Sequence, residues 1–115
     1  MIIESKRDLS ELLHECCDDV ALYETAEESK SKDRIVYYPY QSEDVDASDL
    51  DYERIDTYQI DFYSVTPLPE SYKAFRTKAR ELGIRPTFYH EFNRQDRIYH
   101  TYCAVQVKGY EWRIF

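Results

Sequence analysis

Apolar residues recur in this chain with two different spacings, and that switch limits the fold more than any other feature. Leu9, Leu12, Leu13, Cys16, Cys17 and Val20 fall at i, i+3, i+4, i+7, i+8 and i+11, one stripe on a 3.6-residue period. Two starts are open for this helix, Ser5 with Asp8 or Asp8 with Glu11, each a near match to the capping box. The helix is expected to fade near Tyr23, where Thr25–Asp33 turns polar. Between Arg54 and Val65 the period drops to two: Tyr58, Ile60 and Phe62 point one way, Gln59 and Asp61 the other. Pro67 and Pro69 stop this strand and open a second helix with Tyr72, Phe75, Ala79 and Leu82 as its stripe. Lys73, Arg76, Lys78 and Arg80 face outward, and Gly83 with Ile84 has the form of a Schellman stop.

Two further stretches complete the sheet. Arg34–Tyr40 reads as a short strand, with Pro39 placing it at an edge or ending it there. Residues 41–53 then read as an acidic loop. From Phe88 onward the pattern is a hairpin about a turn at Asn93–Arg97, with Phe92 opposite Ile98, His90 opposite His100 and Phe88 opposite Tyr102. Both faces of that hairpin are partly apolar, which leaves its core side open. Residues 109–115 form a tail with no evident partner strand. The expected fold is α+β: one two-layer domain over 1–115, a mainly antiparallel sheet of about four strands with two helices on one face. At 115 residues the chain has room for one core.

Composition removes several functions. Gly83 and Gly109 are the only glycines, so neither GxGxxG nor a phosphate-cradling P-loop can be written. No apolar run approaches the roughly 18 residues of a membrane span, and no membrane partner is expected. The three cysteines are odd in number and two are adjacent, which points to a reduced, intracellular chain. His14 beside Cys16 and Cys17 has no zinc spacing. The Asp44/Asp46 and Asp49/Asp51 alternations lack the glycine of a calcium loop. A His90–His100 pair on one face offers no third ligand. No nucleophile–base constellation emerges, so neither enzyme activity nor a cofactor or metal is expected.

Charge and tyrosine remain. Residues 1–53 carry 16 acids and 5 bases, a net of −11, whereas residues 54–115 carry 7 acids and 10 bases, a net of +3. Copies with one acidic and one basic flank can meet head to tail, and heterologous contacts that close make rings. The total of −8 opposes sequence-specific binding of nucleic acid. Twelve tyrosines exceed what one small core can hold, and tyrosine is enriched in interface cores.

The layout resembles the tail-to-head joining, or tail-completion, proteins in the neck of long-tailed bacteriophages. It has an N-terminal amphipathic helix, then a strand such as Asp33–Tyr40 and a long loop. A strand such as Thr57–Ser64 follows, then a helix running to Leu82-Gly83, and a closing hairpin such as Tyr89–Lys108. The resemblance implies a structural, non-enzymatic virion protein. It would form a ring on assembly and contact other head and tail proteins, first in the host bacterial cytoplasm and then in the virion. No functional residue is carried over by motif. Candidate interface residues are therefore chosen by charge: Glu43, Asp44, Asp46, Asp49 and Asp51 in the acidic loop, and Arg94 and Arg97 in the hairpin turn. The alternative is an acidic inhibitor or DNA mimic that binds a basic partner surface.

Overall fold

In the computed structural model of the chain, the described residues are 2–23, 33–45 and 54–109. The order is α1 (Lys6–Cys16), β1 (Val20–Leu22), β2 (Asp33–Asp44), β3 (Arg54–Ser64), α2 (Glu70–Glu81), β4 (Tyr89–Asn93) and β5 (Ile98–Gly109). The strands form one five-stranded sheet ordered β1-β2-β3-β5-β4. All neighbours are antiparallel except β1, which runs parallel to β2.

Both helices lie on one face, as their single stripes require. Ser5 caps α1, its hydroxyl accepting from the Asp8 N–H at 3.1 Å, which decides between the two possible starts. Leu9, Leu12 and Leu13 are buried beneath α1, and Tyr72, Phe75 and Ala79 beneath α2. They meet Ile35, Tyr37, Tyr58, Ile60, Phe62, Cys103, Val105 and Val107 in a single core. Two hydrogen bonds stop α2: Ile84 N–H to Ala79 C=O at 2.8 Å and Gly83 N–H to Arg80 C=O at 3.0 Å. This is the Schellman pattern, with Gly83 at φ 79° as its left-handed residue.

The α+β fold with a mainly antiparallel sheet of about four strands and two helices on one face is as expected. The short fifth strand, β1, is added because α1 ends at Cys16 rather than near Tyr23 and Val20 enters the sheet. Several other expectations are corrected. Glu43 and Asp44 are not loop residues: β2 continues past a bulge between Pro39 and Gln41 to pair Asp44 with Arg54. Pro39 is tolerated because β1 pairs with Ile35–Tyr37, so that among the described residues β2 has a single strand neighbour, β3, at Pro39. Leu82 is exposed, since the helix has already turned into its stop. The hairpin register is offset by one: His90 pairs with Thr101 and Glu91 with His100, around a four-residue turn at 94–97. A one-residue slip moves every side chain to the other face. Thr101, Cys103, Val105 and Val107 therefore face the helices, and His90 and His100 lie on opposite sides of the sheet. Asp46, Asp49, Asp51 and the tail from Tyr110 lie outside the described residues.

Candidate functional site

The sheet face turned away from the helices carries the most organised cluster of polar and aromatic side chains. Alternation along each strand assigns its members. On this face β2 contributes Arg34, Val36 and Tyr38, β3 contributes Gln59, Asp61 and Tyr63, β5 contributes His100 and Tyr102, and β4 contributes Tyr89 and Glu91. Register turns them into rows. Arg34, Tyr63, His100 and Glu91 are consecutive partners across four strands, and Val36, Asp61, Tyr102 and Tyr89 form the next row.

Within the first row, the Arg34 guanidinium lies 4.5 Å from the Tyr63 ring centroid. Tyr63 in turn stacks on the His100 imidazole at 4.6 Å with 12° between planes. His100 continues to Tyr102 at 5.0 Å, and Tyr102 stacks on Tyr89 at 5.3 Å. At the β1 side Tyr23 stacks on Tyr38 at 6.0 Å. The cation and the rings thus form an almost continuous tiling, each contact adding a few tenths of a kcal/mol to about 1 kcal/mol beyond area burial.

Asp61 sits in the middle of this tiling with its side chain only 4% exposed. Its carboxylate oxygen accepts from His100 Nε2 at 2.7 Å and from Gln59 Nε2 at 2.9 Å. The opposite ring nitrogen, His100 Nδ1, faces Glu91 at 3.6 Å. Both imidazole nitrogens are thereby directed at carboxylates, and neither is turned toward a hydroxyl or thiol nucleophile. Burial raises the Tyr38 phenol above its ordinary value, and the charge of Asp61 and proximity to Tyr40 push the same way. The row opens at its Glu91 end into a shallow depression of about 360 Å³ lined by Arg34, Tyr63, Phe92, Asp96 and His100 among others. This is a surface with a fixed pattern of charge and aromatic area rather than a cleft that shuts out water.

The expected His90–His100 pair does not exist. His90 bonds Thr101 Oγ1 at 2.9 Å on the helix side and sets its ring edge-on to Tyr72. Cys16, Cys17 and Cys103 are free thiols; burial raises Cys16 to about 11 and Cys103 to about 12, leaving them weak nucleophiles. Among the described residues no three His, Cys, Asp or Glu side chains converge to hold a metal ion, and no helix is long and apolar enough to cross a membrane.

Of the residues selected by charge, Glu43 and Asp44 are exposed at the β2 end, and Arg94 and Arg97 are exposed in the β4–β5 turn. Because β3 and β5 are antiparallel and paired over Arg54–Gly109 to Ser64–Tyr99, these acids and bases stand at opposite ends of the sheet. At about 3.4 Å per residue the ends are separated by roughly 35 Å. Tyr63 and Tyr89 are among the tyrosines that exceed the core, but Asp61, Arg34 and Glu91 are not selected as candidate site residues from the sequence. Strand alternation alone puts Asp61 and Tyr63 on this face, but only the register brings Arg34, His100 and Glu91 into line with them.

No family model matches the chain, and the curated proteins give no match.

Proposed function

We propose that this protein is a structural assembly subunit acting through its outer surfaces, and that its setting is the neck of a long-tailed bacteriophage, as one member of a ring joining tail to head. The observation that carries the assembly reading is the sheet face opposite both helices, which no helix covers among the described residues and which Tyr63, His100, Tyr102 and Tyr89 tile over the buried Asp61. Rigid aromatic side chains offer large contact area at low entropy cost, which suits a standing contact. The placement of Glu43 and Asp44 at one end and Arg94 and Arg97 at the other gives copies an orientation. The order of helix, paired strands, helix and closing hairpin is the layout that supports the neck setting.

Removal of the gene from its resident phage or prophage tests the reading. Induced lysates should contain separate heads and tails by electron microscopy, with joining restored by the wild-type gene. Tyr89→Glu, which places a charge on an exposed edge of the tiled face, should fold normally and restore joining poorly. Joined, infectious particles from the deletion would overturn the neck reading.

A second reading, an acidic inhibitor or DNA mimic, draws support from the exposed Glu43–Asp44 end of the long hairpin. It requires capture of a basic partner that weakens steeply with salt.

A further inference from the structure

The helix side of the molecule carries a second, separate arrangement of charge. Arg76 and Arg80 lie one turn apart on the exposed side of α2. The Schellman stop then reverses the chain and brings Arg85 alongside them. The three arginines frame a hollow of about 280 Å³ whose other walls are Tyr72, Ile84, Pro86 and Phe88. Among the described residues none of the three guanidiniums is in an ion pair, whereas the other basic side chains of α2, Lys73 and Lys78, pair with Glu70 and Glu15. Arg80 sits in the last turn, where a cation complements the helix dipole. Arg76 and Arg85 lie outside that turn and need another explanation.

A cationic rim over an aromatic and aliphatic floor fits a peptide that alternates carboxylates with apolar side chains. Guanidinium forks grip carboxylates in pairs. This chain contains one such stretch: Glu43, Asp44, Asp46, Asp49, Asp51 and Glu53 interleaved with Val45, Leu50 and Tyr52. We propose that the hollow framed by Arg76, Arg80 and Arg85 holds the acidic segment, residues 43–53, of a second copy of this chain. Within one chain the start of that segment is held away from the hollow. Phe88 precedes Tyr89, which pairs with Tyr102, whereas Asp44 pairs with Arg54 and thence Gly109, seven residues further along β5. Seven residues of strand are about 23 Å, and the two sites also lie on different strands across the sheet. Contact between one copy's acidic end and the next copy's arginine hollow is heterologous, the kind that propagates or closes into a ring. The proposal deepens the assembly reading and rests on it for its biological setting.

A synthetic peptide of residues 42–54, titrated into the isotope-labelled full chain, tests the contact apart from any virion. Resonance shifts should cluster at Arg76, Arg80, Arg85 and Phe88. Apparent affinity should fall about tenfold between roughly 50 and 300 mM salt, as expected for screened charge. The Arg76→Glu, Arg80→Glu, Arg85→Glu triple variant should keep the wild-type melting profile and lose the shifts. No shift with millimolar peptide, or shifts elsewhere on the protein, overturns the proposal. So does inorganic phosphate moving the same resonances while the peptide does not, which makes the hollow a phosphate site. Displaced arginine resonances in a dilute, monomeric Asp46→Lys, Asp49→Lys, Asp51→Lys variant would show that a chain occupies its own hollow, and would also overturn it. Peptide binding that survives alongside joined particles from the gene deletion would separate the contact from the neck setting.

Discussion

His100 donates through Nε2 to the buried carboxylate of Asp61 at 2.7 Å, on the sheet face opposite α1 and α2. The bond joins neighbouring strands, since Asp61 pairs with Tyr102 and His100 with Tyr63. It therefore runs diagonally across β3 and β5 and locks the two rows of the tiled face to each other. Carboxylates are rarely this buried without partners. Here His100 and Gln59 supply the donors that make the burial affordable.

Replacing His100 by Ala should lower stability by about 2 kcal/mol, because Asp61 keeps its burial and loses its strongest donor. Asp61→Ala should cost a similar amount. The two changes combined should cost less than their sum, by about 1 kcal/mol or more, as contacting partners do. Urea unfolding of the four proteins in the cycle measures this. Additive losses would show that the bond contributes nothing beyond the packing of each side chain.

The elements with one unambiguous period, α1, α2 and β3, were legible in the sequence because each buries a single face. The closing hairpin was legible as a hairpin but its register was not, because both of its strands are apolar on both sides and its turn lacks the usual glycine. Arg97 takes the left-handed position at φ 55°, and Asn93 Oδ1 closes the turn by accepting from the Gln95 and Asp96 N–H groups at 3.0 and 3.2 Å. Asn93 was the signal available, and reading it as the opening residue of a four-residue turn gives the correct register. The one-residue error put His90 beside His100 and concealed the Tyr63–His100–Glu91 row. β1 was lost for a different reason: Val20 continues the helical spacing of α1, and a three-residue parallel strand has too few positions to compete with it.

Gly83→Ala should destabilise the protein by about 1 kcal/mol, since φ 79° is costly for any residue with a Cβ. Gly109→Ala should be worse for another reason. A Cβ there falls 2.5 Å from Arg54 Cγ and 3.0 Å from Asp56 Oδ2, so the Arg54 side chain must move away from Asp56. Asp56 is buried and depends on Arg54 Nε and the Ser42 hydroxyl for its hydrogen bonds. A loss of about 2 kcal/mol is expected from crowding and the weakened pair. Thermal melts of both variants check the order, and Gly83→Asn, which tolerates positive φ better, should recover part of the first loss.

The α1 cap gives a smaller and cleaner effect. Ser5→Ala removes the acceptor for the Asp8 N–H and should cost about 1 kcal/mol, with Ser5→Asp retaining most of it. Leu13→Ala, at a fully buried position of the same helix, should cost about 3 kcal/mol through the cavity it leaves. Chemical denaturation resolves the difference. Equal losses would mean that α1 is held by its N-terminus rather than by its apolar stripe.

Alkaline pH should unfold the chain earlier than its surface charge suggests, because buried groups resist ionisation, Cys103 and Tyr58 most strongly and Cys16 with them. Burial lifts Cys103 from 9.0 to about 12, with the charge of Asp61 adding to it, and lifts Tyr58 from 10.0 to about 12, with Asp56 adding to it. In the unfolded chain both groups release protons at their ordinary values, whereas the folded chain retains them. The unfolded state thus binds fewer protons above pH 9, and stability falls with rising pH from there toward 12. Below pH 9 both states carry both protons and these groups leave stability unchanged. Cys103→Ala should lower stability at every pH through lost packing and make the alkaline decline between pH 9 and 12 shallower, because Cys16, lifted from 9.0 to about 11, and Tyr58 still contribute to it. Denaturant midpoints at unit pH steps from 7 to 11 measure the profile, and a variant declining as steeply as the wild type would remove Cys103 as a contributor.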